Sequence, residues 1–427
     1  MKVIASTDRA FKTAVQRMTG RSNFNAGTVE TAVRSILRGV ERGGDRAVAR
    51  YAKTFDRVTL KPDQFRVSVD RIKEAYYQIR KDEGDALRYA AQRITAFHER
   101  QRLKTWMYQE NGATLGQMIL PLDAVGVYVP GGKAVYPSSL LMCAIPAKVA
   151  GVKRVVLCTP TTKAGISPYL LVAADIAGVD EVYQIGGVQA IAAMAYGTQT
   201  IPRVDKIVGP GNIYVATAKR LMYGTVAIDM VAGPSELLVV ADEAADPAHV
   251  AADLLCEAEH DEEAKVYLVT TSRKLADAAV RHVKEQMAKL SREKIVAKAI
   301  ARHAVALVVD TMEEAIDLAN AIAPEHLTLS VERPFDYLEK IRHAGALFLG
   351  RYTPPAIADY VAGPNHVLPT GGTARFFSPL SVDDYLKKSN IIYYTKEELT
   401  KVKDHLYRIA QMEGLDAHAK SLESRRP

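Results

Sequence analysis

Polar side chains that can bind ligands or metals are concentrated in segment 358–375. Two prolines and three glycines interrupt this segment, so we predict neither a long helix nor a central strand there. It nevertheless carries Asp359, Asn365, His366, Thr370 and Arg375. A rigid loop with these groups favours a role in binding or catalysis. The alternative is a structured connection whose polar groups satisfy its own backbone.

Two further stretches place a carboxylate beside an imidazole. Glu257 and His260 are three residues apart at the end of a predicted helix, a spacing that can hold a metal ion. Glu325 and His326 are adjacent between a predicted helix and a predicted strand, and such a pair suits acid/base catalysis. The structural alternatives are a surface salt bridge or cap for the first pair and a capped turn for the second.

Near the C-terminus, Glu413 and His418 flank Gly414, and a histidine in that position is ordinarily just solvated. Together with the preceding segments, however, these residues form a set of nitrogen and oxygen ligands. Such a set suits zinc or another divalent ion together with an acid/base pair. Its members are Glu257, His260, Glu325, His326, Asp359, His366, Glu413 and His418.

The elements that must position these groups change in character near residue 123. Up to about residue 120 the apolar residues recur mostly at helical spacing. Between residues 123 and 222 a short apolar strand, a glycine turn and a helix alternate four times, and a similar alternation runs from 237 to 349. This pattern predicts parallel sheets with helical crossovers, whose ligands bind at the carboxyl ends of strands. After Pro379 we predict mainly helix.

The glycine turns do not match the usual dinucleotide-binding fingerprint. Gly209-Pro210-Gly211-Asn212 lacks the third glycine, and Pro130-Gly131-Gly132 does not fit either. From the residues alone, a phosphate-bearing or anionic ligand at a helix N-terminus is the most that these turns predict.

The composition limits the classes of protein that fit. With 427 residues the chain is too long for one ordinary core. Lysine and arginine exceed aspartate and glutamate by 56 − 49 = 7, but without the basic stripe and aromatic residues typical of nucleic-acid binding. Three cysteines at wide spacing favour a reduced compartment, and no apolar run has the length of a membrane span. We therefore predict a soluble, cytoplasmic protein.

Taken together, eight stretches resemble the histidinol dehydrogenases, and the resemblance extends over nearly the whole chain. The stretches are Val127–Lys133 with Tyr136–Ser139, Ile185–Gly187 with Gln189–Ile191, Lys206–Asn212, Ala232–Glu236, Ala258–His260, Pro324–His326, Gly363–His366, and Glu413–Gly414 with His418.

The expected fold is α/β, with two Rossmann-like parallel-sheet domains that lack the standard fingerprint and small helical terminal parts. The predicted domains are an N-terminal helical arm at 1–23, a first α/β domain at 24–123 and 236–380 with the metal and catalytic loops, a second at 124–235 with the NAD contacts, and a C-terminal helical tail at 381–427. The resemblance also implies a homodimer in which this tail completes the site of the neighbouring subunit.

The implied enzyme contains one zinc ion per subunit. It oxidises L-histidinol to L-histidine through L-histidinal, the last step of histidine biosynthesis, and reduces two NAD in succession. The implied zinc ligands are Glu257, His260, Asp359 and His418, and the acid/base pair is Glu325 and His326. The implied substrate contacts are Ser235, Glu257, His260, His326, Asp359, His366, Glu413 and His418. The implied NAD contacts are Tyr128, Gln189 and Asn212.

One residue departs from the family pattern, which usually has glutamine at the position of Glu257. A carboxylate there adds negative charge to a site that already contains Asp359, so we expect tighter zinc binding and weaker Lewis acidity. An alternative function is therefore the oxidation of another small alcohol, such as a sulfonated diol, although retention of His366 and Glu413 favours histidinol. A non-catalytic anion-binding protein is a second alternative, but it has no need of the Glu325–His326 pair.

Overall fold

The computed structural model describes residues 1–20, 27–131 and 135–425. The predicted boundary between residues 23 and 24 and the motif residues Gly132 and Lys133 lie outside the described residues. Among the described helices, none is long and apolar enough to cross a membrane.

The strands alternate with helices over most of the chain, as the sequence pattern predicts. The strands are β1 (Lys2–Ala5), β2 (Trp106–Glu110), β3 (Ala113–Pro121), β4 (Ala124–Tyr128), β5 (Arg154–Cys158), β6 (Glu181–Tyr183), β7 (Lys206–Val208), β8 (Ala227–Ile228), β9 (Glu236–Ala241), β10 (Lys265–Thr270), β11 (Val305–Val308), β12 (His326–Ser330), β13 (Ala346–Leu349) and β14 (Leu386–Tyr394). The α-helices are α1 (Phe11–Thr19), α2 (Gly27–Tyr51), α3 (Val69–Ala75), α4 (Lys81–His98), α5 (Pro137–Ala150), α6 (Pro168–Ile176), α7 (Gly187–Tyr196), α8 (Ile213–Met222), α9 (Pro247–Ala258), α10 (Arg273–Met287), α11 (Glu293–His303), α12 (Met312–Ile322), α13 (Pro355–Tyr360), α14 (Lys396–Met412) and α15 (Asp416–Glu423).

The chain divides into two compact units. Unit 1 comprises Met1–Gln101 and Leu122–Tyr385, and unit 2 comprises Arg102–Pro121 and Leu386–Pro427. Unit 1 contains two parallel sheets, and unit 2 contains an antiparallel sheet of order β14-β3-β2 together with α14 and α15.

The larger sheet of unit 1 is entirely parallel, with strand order β1-β11-β10-β9-β12-β13. Its central strand β9 is buried at all six residues, which explains why an almost continuous apolar run encodes it. Alternate residues of β9 enter different cores: one core includes side chains of α9, α10 and α11, and the other includes side chains of α1 and α12. The sheet is thus covered on both faces, and its chemistry must lie at a strand end.

The second parallel sheet has the strand order β6-β5-β4-β7-β8. The four predicted repeats of strand, turn and helix are confirmed, because each of β4, β5, β6 and β7 leads into the next helix, from α5 to α8. Apolar residues of α2 pack with α7 and α8, and those of α4 pack with α5. These helices therefore cover the five-stranded sheet, which differs from the predicted grouping of residues 24–123 with 236–380. The boundaries of the domains stay a prediction.

Predictions of local structure were wrong at both ends of the chain. The predicted helical arm begins with strand β1, the predicted helical region before residue 120 contains β2 and β3, and the predicted helical tail begins with β14. Each of β1 and β14 pairs with a strand more than 200 residues away in sequence, so local periodicity does not reveal the pairing. Helix α11 was also missed, and the segment Pro334–Lys340 within the second alternating region is a 3₁₀ helix.

Candidate active site

The adjacent residues Glu325 and His326 lie at the entry to strand β12. Helix α12 ends at Ile322, and Ala323 adopts the left-handed conformation with φ of 52° before Pro324. This sharp ending turns the chain directly into the sheet. Glu325 and His326 are 7% and 6% exposed, so a carboxyl group and an imidazole are both held inside the protein.

The imidazole of His326 is oriented by two acceptors. Its Nδ1 lies 3.2 Å from the backbone carbonyl oxygen of Glu236 and 3.2 Å from Oε2 of Glu257. Because both neighbours accept hydrogen bonds, Nδ1 carries the proton in the neutral ring, and Nε2 has the free lone pair. The ring also lines a cavity of about 520 Å³, together with His366 and Phe348. His326 is therefore arranged as a base beside a partly open cavity.

The carboxyl group of Glu325 is surrounded by other acidic groups. Burial raises the pKa of Glu325 well above its ordinary value, and the nearby carboxylates of Glu257, Glu236 and Asp359 raise it further. The backbone N–H of Glu236 donates to Glu325 Oε2 at 2.9 Å and partly opposes this effect. A cation or an imidazolium nearby would favour the ionised form.

The site has features that fit a divalent cation. Ligand atoms of Glu257, Glu325 and His326 lie within 4.8 Å of one another, and all three residues are buried. Oε1 of Glu257 is also buried and has no hydrogen-bond partner among the described residues. A buried carboxylate oxygen without a partner is costly unless a cation binds it. Carboxylate and imidazole groups are common ligands of zinc.

The structure brings together only part of the predicted zinc set. Of Glu257, His260 and Asp359, only Glu257 belongs to the cluster of potential ligands that the described residues form. His260 lies two residues beyond the end of α9, and its backbone N–H donates to the carbonyl of Glu257. Asp359 lies on α13, which packs against α9. The ligand assignment stays a prediction.

Segment 358–375 is neither a long helix nor a strand, as predicted, and its polar groups tie it to several elements. His366 Nδ1 lies 3.0 Å from the backbone oxygen of Asp359, and His366 Nε2 lies 3.2 Å from Ser139 Oγ. Burial lowers the pKa of His366, which keeps its ring neutral. Asn365 Nδ2 donates to the backbone oxygen of Met142 at 2.6 Å. The segment is therefore a rigid loop that holds His366 at the cavity.

Thr370 and Arg375, the other two polar residues singled out in this segment, form hydrogen bonds with backbone groups of other elements. Thr370 Oγ1 accepts from the backbone N–H of Gly233 at 2.6 Å. Arg375 donates to the backbone oxygens of Asn320 and Ala321, at the end of α12. These contacts join the segment to Gly233 and to the end of α12.

The cysteine beside the cluster is not a nucleophile at neutral pH. Burial raises the pKa of Cys256 to about 12, and the carboxylates of Asp359 and Glu257 contribute to the shift. The thiolate is the reactive form of cysteine. This thiol is therefore not available for covalent catalysis at neutral pH.

The predicted NAD contacts follow the carboxyl ends of the five-stranded sheet. Tyr128 ends β4, Gln189 lies in the first turn of α7 after β6, and Asn212 caps α8 after β7. The Tyr128 hydroxyl accepts from the backbone N–H of Gly187 at 3.0 Å, and Gln189 Nε2 donates to Asp56 Oδ2 at 3.2 Å.

A buried ion pair holds the turn before Asn212. Lys219 Nζ bonds to Asp229 and, at 2.8 Å, to the carbonyl of Gly209, whose N–H donates to Asp229 Oδ2 at 2.7 Å. A Cβ atom at Gly209 would overlap the carbonyl of Tyr128, and the φ of 112° also requires glycine. The turn is thus rigid, although it lacks the usual fingerprint.

The comparison with known proteins decides the family. The family model for histidinol dehydrogenase matches residues 19–426. The chain belongs to the histidinol dehydrogenase family.

Individual relatives are similar to this chain over nearly its whole length. The chain is 49% identical to a histidinol dehydrogenase of Geobacter metallireducens, covering 100% of this chain and 98% of that one. It is 52% identical to a histidinol dehydrogenase of Caldanaerobacter subterraneus subsp. tengcongensis, covering 96% and 95%. The crystal structure of histidinol dehydrogenase from Elizabethkingia anophelis superposes with a TM-score of 0.94 at 36% identity, covering 100% of this chain and 98% of that one. The fold predicted from the resemblance is therefore confirmed.

The predicted substrate contacts not yet described lie in both units of the chain. Ser235 directly precedes β9 in unit 1, whereas Glu413 and His418 are exposed residues of unit 2, at the end of α14 and in α15. Sequence reasoning missed Glu236 and Lys265 as parts of the site. Their only signal was the position of Glu236 beside Ser235 in a family motif.

The Glu325–His326 pair lies at the amino end of a strand, as its predicted position between a helix and a strand indicates, and not at the carboxyl ends where the sheet pattern predicts ligands. Glu236, Lys265 and His326 are the first residues of β9, β10 and β12, so this part of the site is at the amino ends of the six-stranded sheet. The rule that ligands follow carboxyl ends applies to a single open sheet. Unit 1 contains two parallel sheets, so the amino ends of the strands of one sheet can also contribute residues to a site.

Proposed function

We propose that this chain oxidises L-histidinol to L-histidine with NAD. The observation that carries the proposal is the buried Glu325–His326 pair, with Glu257 3.2 Å from the imidazole, in a chain of this family. A base, a group that can activate water and a metal ligand are the protein groups that a two-step oxidation of an alcohol requires.

The proposed zinc ligands are Glu257, His260, Asp359 and His418, with one ion per subunit. The unpartnered Oε1 of Glu257 supports a cation at this position. When bound, zinc supplies a Lewis acid that holds the substrate nitrogens, and NAD supplies the hydride acceptor.

His326 acts in the first step as the base that takes the hydroxyl proton of histidinol. The proton goes to Nε2, because Nδ1–H is already directed at Glu236 O and Glu257 Oε2. The Glu257 carboxylate stabilises the imidazolium that results. With NAD bound, the cofactor would accept the hydride from the same carbon, which would leave histidinal.

Glu325 acts in the second step as the base that activates water. The water oxygen attacks the aldehyde carbon while its proton goes to Glu325, and the gem-diol that forms would give its hydride to a second NAD, with release of a proton. Glu325 must be ionised for this step, although burial raises its pKa. The positive charge on His326 after the first step favours ionisation of its neighbour.

The remaining roles follow from the resemblance. We propose that Ser235, His366 and Glu413 contact substrate, and that Tyr128, Gln189 and Asn212 contact NAD. The position of His366 on the cavity wall supports its role, and the location of the second set at the carboxyl ends of a parallel sheet supports NAD binding. The predicted cytoplasmic location stays a prediction.

The direct test mixes the zinc-loaded protein with NAD and L-histidinol and counts the NADH formed per histidinol consumed. Two NADH per histidinol, abolished by a chelator and restored by zinc, is the expected result. No NADH from histidinol, with zinc bound, would contradict the proposal. NADH formed from a sulfonated diol or another small alcohol would then favour the alternative function.

We also propose a homodimer in which Glu413 and His418 act in the neighbouring subunit. Unit 2 exposes several large apolar side chains on its two outer strands, which supports an interface there. They are Trp106, Met107 and Tyr108 on β2 and Ile392, Tyr393 and Tyr394 on β14.

Mixing two inactive variants tests this sharing of sites. His326→Asn removes the base in one subunit, and His418→Ala removes a proposed ligand supplied by the other. After unfolding and refolding at equal amounts, hybrid dimers have one intact site, so activity should reach about a quarter of the wild-type value. Activity no higher than that of either variant alone, with hybrids present by native mass spectrometry, would place His418 in its own subunit's site.

Glu257 stands where the family usually has glutamine, and its extra negative charge should strengthen zinc binding. Glu257→Gln removes one negative charge from the ligand set, so we expect zinc affinity to fall at least about tenfold in a chelator competition. Because the Glu257 carboxylate raises the pKa of Glu325, the variant should also keep histidinal oxidation active to lower pH. Glu243→Gln, beyond the opposite end of β9, is the matched control. Unchanged affinity would show that the negative charge of Glu257 does not strengthen zinc binding.

A further inference from the structure

Glu236 contacts four different parts of the candidate active site. Its backbone N–H donates to Glu325 Oε2 at 2.9 Å, and its backbone carbonyl accepts from His326 Nδ1 at 3.2 Å. Its carboxylate accepts from Lys265 Nζ at 2.8 Å through Oε1 and from the backbone N–H of Gly371 at 3.0 Å through Oε2. One residue therefore contacts both members of the acid/base pair and the loop that carries His366.

The sheet register creates this arrangement. Glu236 and Lys265 are paired first residues of the parallel strands β9 and β10. His326 begins β12, where it pairs with Leu237 on the other side of β9. The three residues thus lie together at one end of the sheet. Their sequence positions, which are far apart, do not show this proximity.

We propose that Glu236, held by Lys265, is the positioning residue for Glu325 and His326 in both oxidation steps. The proposal rests on the function proposed above for that pair. Neither Glu236 nor Lys265 needs to touch substrate for this role, because each acts through the placement of other groups.

Fold stability alone is a weak explanation for this ion pair. The side chain of Glu236 is 6% exposed and that of Lys265 is 23% exposed, so both charges lose much of their hydration. Buried ion pairs give little net stability compared with apolar residues of similar size. They do restrict geometry, and here both carboxylate oxygens are directed at fixed donors. That restriction fixes the Glu236 peptide groups, which orient Glu325 and His326.

Substitutions at the pair test the proposal on the full-length, zinc-loaded protein. Glu236→Gln keeps the shape of the side chain but cannot accept from both Lys265 and Gly371, and Lys265→Met leaves the carboxylate without its cation. We expect either change to lower kcat about 10- to 100-fold, because small misplacements of catalytic groups have effects of this size. The KM values for histidinol and histidinal and the zinc content should stay unchanged.

The pattern of effects separates positioning from general destabilisation. Both histidinol and histidinal oxidation should slow by similar factors, since Glu236 contacts both Glu325 and His326. Lys265→Arg should restore most of kcat, and the double variant Glu236→Gln/Lys265→Met should be no slower than Glu236→Gln alone. A lower thermal midpoint with wild-type kcat per folded molecule, or slowing of only one oxidation step, would overturn the proposal.

Lys148→Met is the matched control. Lys148, on helix α5, forms an ion pair with Asp180, which precedes β6, at 2.6 Å and with side chains 29% and 39% exposed. The kcat of the Lys148→Met variant should equal that of the wild type. An equal loss of kcat in this control would show that any partly buried ion pair has this effect, and would also overturn the proposal.

A second measurement does not depend on histidinol as substrate. Nitrogen-15 NMR of labelled histidine reports which ring nitrogen carries the proton, and His326→Asn identifies the signal. The wild type should show His326 protonated at Nδ1, and Lys265→Met should show a mixture of tautomers. An unchanged tautomer in the variant would contradict the positioning role. A wild type that forms no NADH from histidinol would contradict the proposed function instead.

Discussion

Replacing His326 with asparagine is expected to lower kcat for histidinol by about 10²- to 10⁴-fold, the usual contribution of a general base. The asparagine amide can still donate to the carbonyl of Glu236, which His326 Nδ1 contacts at 3.2 Å. The variant therefore keeps the local hydrogen bond but loses the lone pair that accepts the hydroxyl proton. Steady-state rates of NADH formation with saturating histidinol measure the effect.

Zinc content decides between two roles for this histidine. With the proposed ligands Glu257, His260, Asp359 and His418, His326→Asn should bind as much zinc as the wild type. His326 also belongs to the buried cluster of potential ligands with Glu257 and Glu325. Loss of zinc together with activity would therefore assign His326 to the metal. His343→Asn makes the same chemical change outside the cluster and should leave both quantities unchanged.

Replacing Glu325 with glutamine is expected to block the second oxidation step selectively. The amide oxygen can still accept from the backbone N–H of Glu236, now 2.9 Å from Glu325 Oε2, but the side chain no longer removes a proton from water. Oxidation of histidinal should fall about 10²- to 10⁴-fold. Histidinol should still give the first NADH, so the yield should approach one NADH per histidinol, with histidinal released.

The Glu325→Gln substitution should also change how the stability of the metal-free protein depends on pH. The pKa of Glu325 is raised in the folded state, chiefly by burial, so the wild type loses stability as pH rises from the ordinary glutamate pKa through the raised value. Glutamine does not titrate. After chelation, the thermal midpoint of Glu325→Gln relative to that of the wild type should therefore be higher at pH 8 than at pH 5. A difference that shrinks as pH rises would contradict the raised pKa, and Glu243→Gln is again the control.

The alternating elements could be predicted because their information is local. The four strand–turn–helix repeats from β4 to α8 have apolar runs bounded by glycine and proline, and those patterns led directly to the observed parallel sheet. The edge strand β1 and strand β14 were missed for the opposite reason. Each pairs with a strand that is distant in sequence, so tertiary pairing outweighs local propensity.

The candidate site shows the same division. Glu325, His326 and Glu257 stand out in the sequence by their residue types, and the resemblance to the family added the remaining residues. The contacts of Glu236 were beyond sequence reasoning, because a glutamate and a lysine 29 positions apart become neighbours only through the β9–β10 register. Ser139 likewise approaches His366 only because α5 packs beneath the loop that begins after α13.

The sequence by itself determined the family, the alternating α/β elements and the kinds of chemical group available, since these depend on residue type, order and local spacing. Tertiary structure alone decided that Glu236 and Lys265 lie beside the Glu325–His326 pair, that Nδ1 of His326 faces two acceptors, and that burial among carboxylates raises the pKa of Glu325. The physical reason is that hydrogen bonding, desolvation and Coulomb interaction depend on distances between atoms, and strand register and packing set those distances.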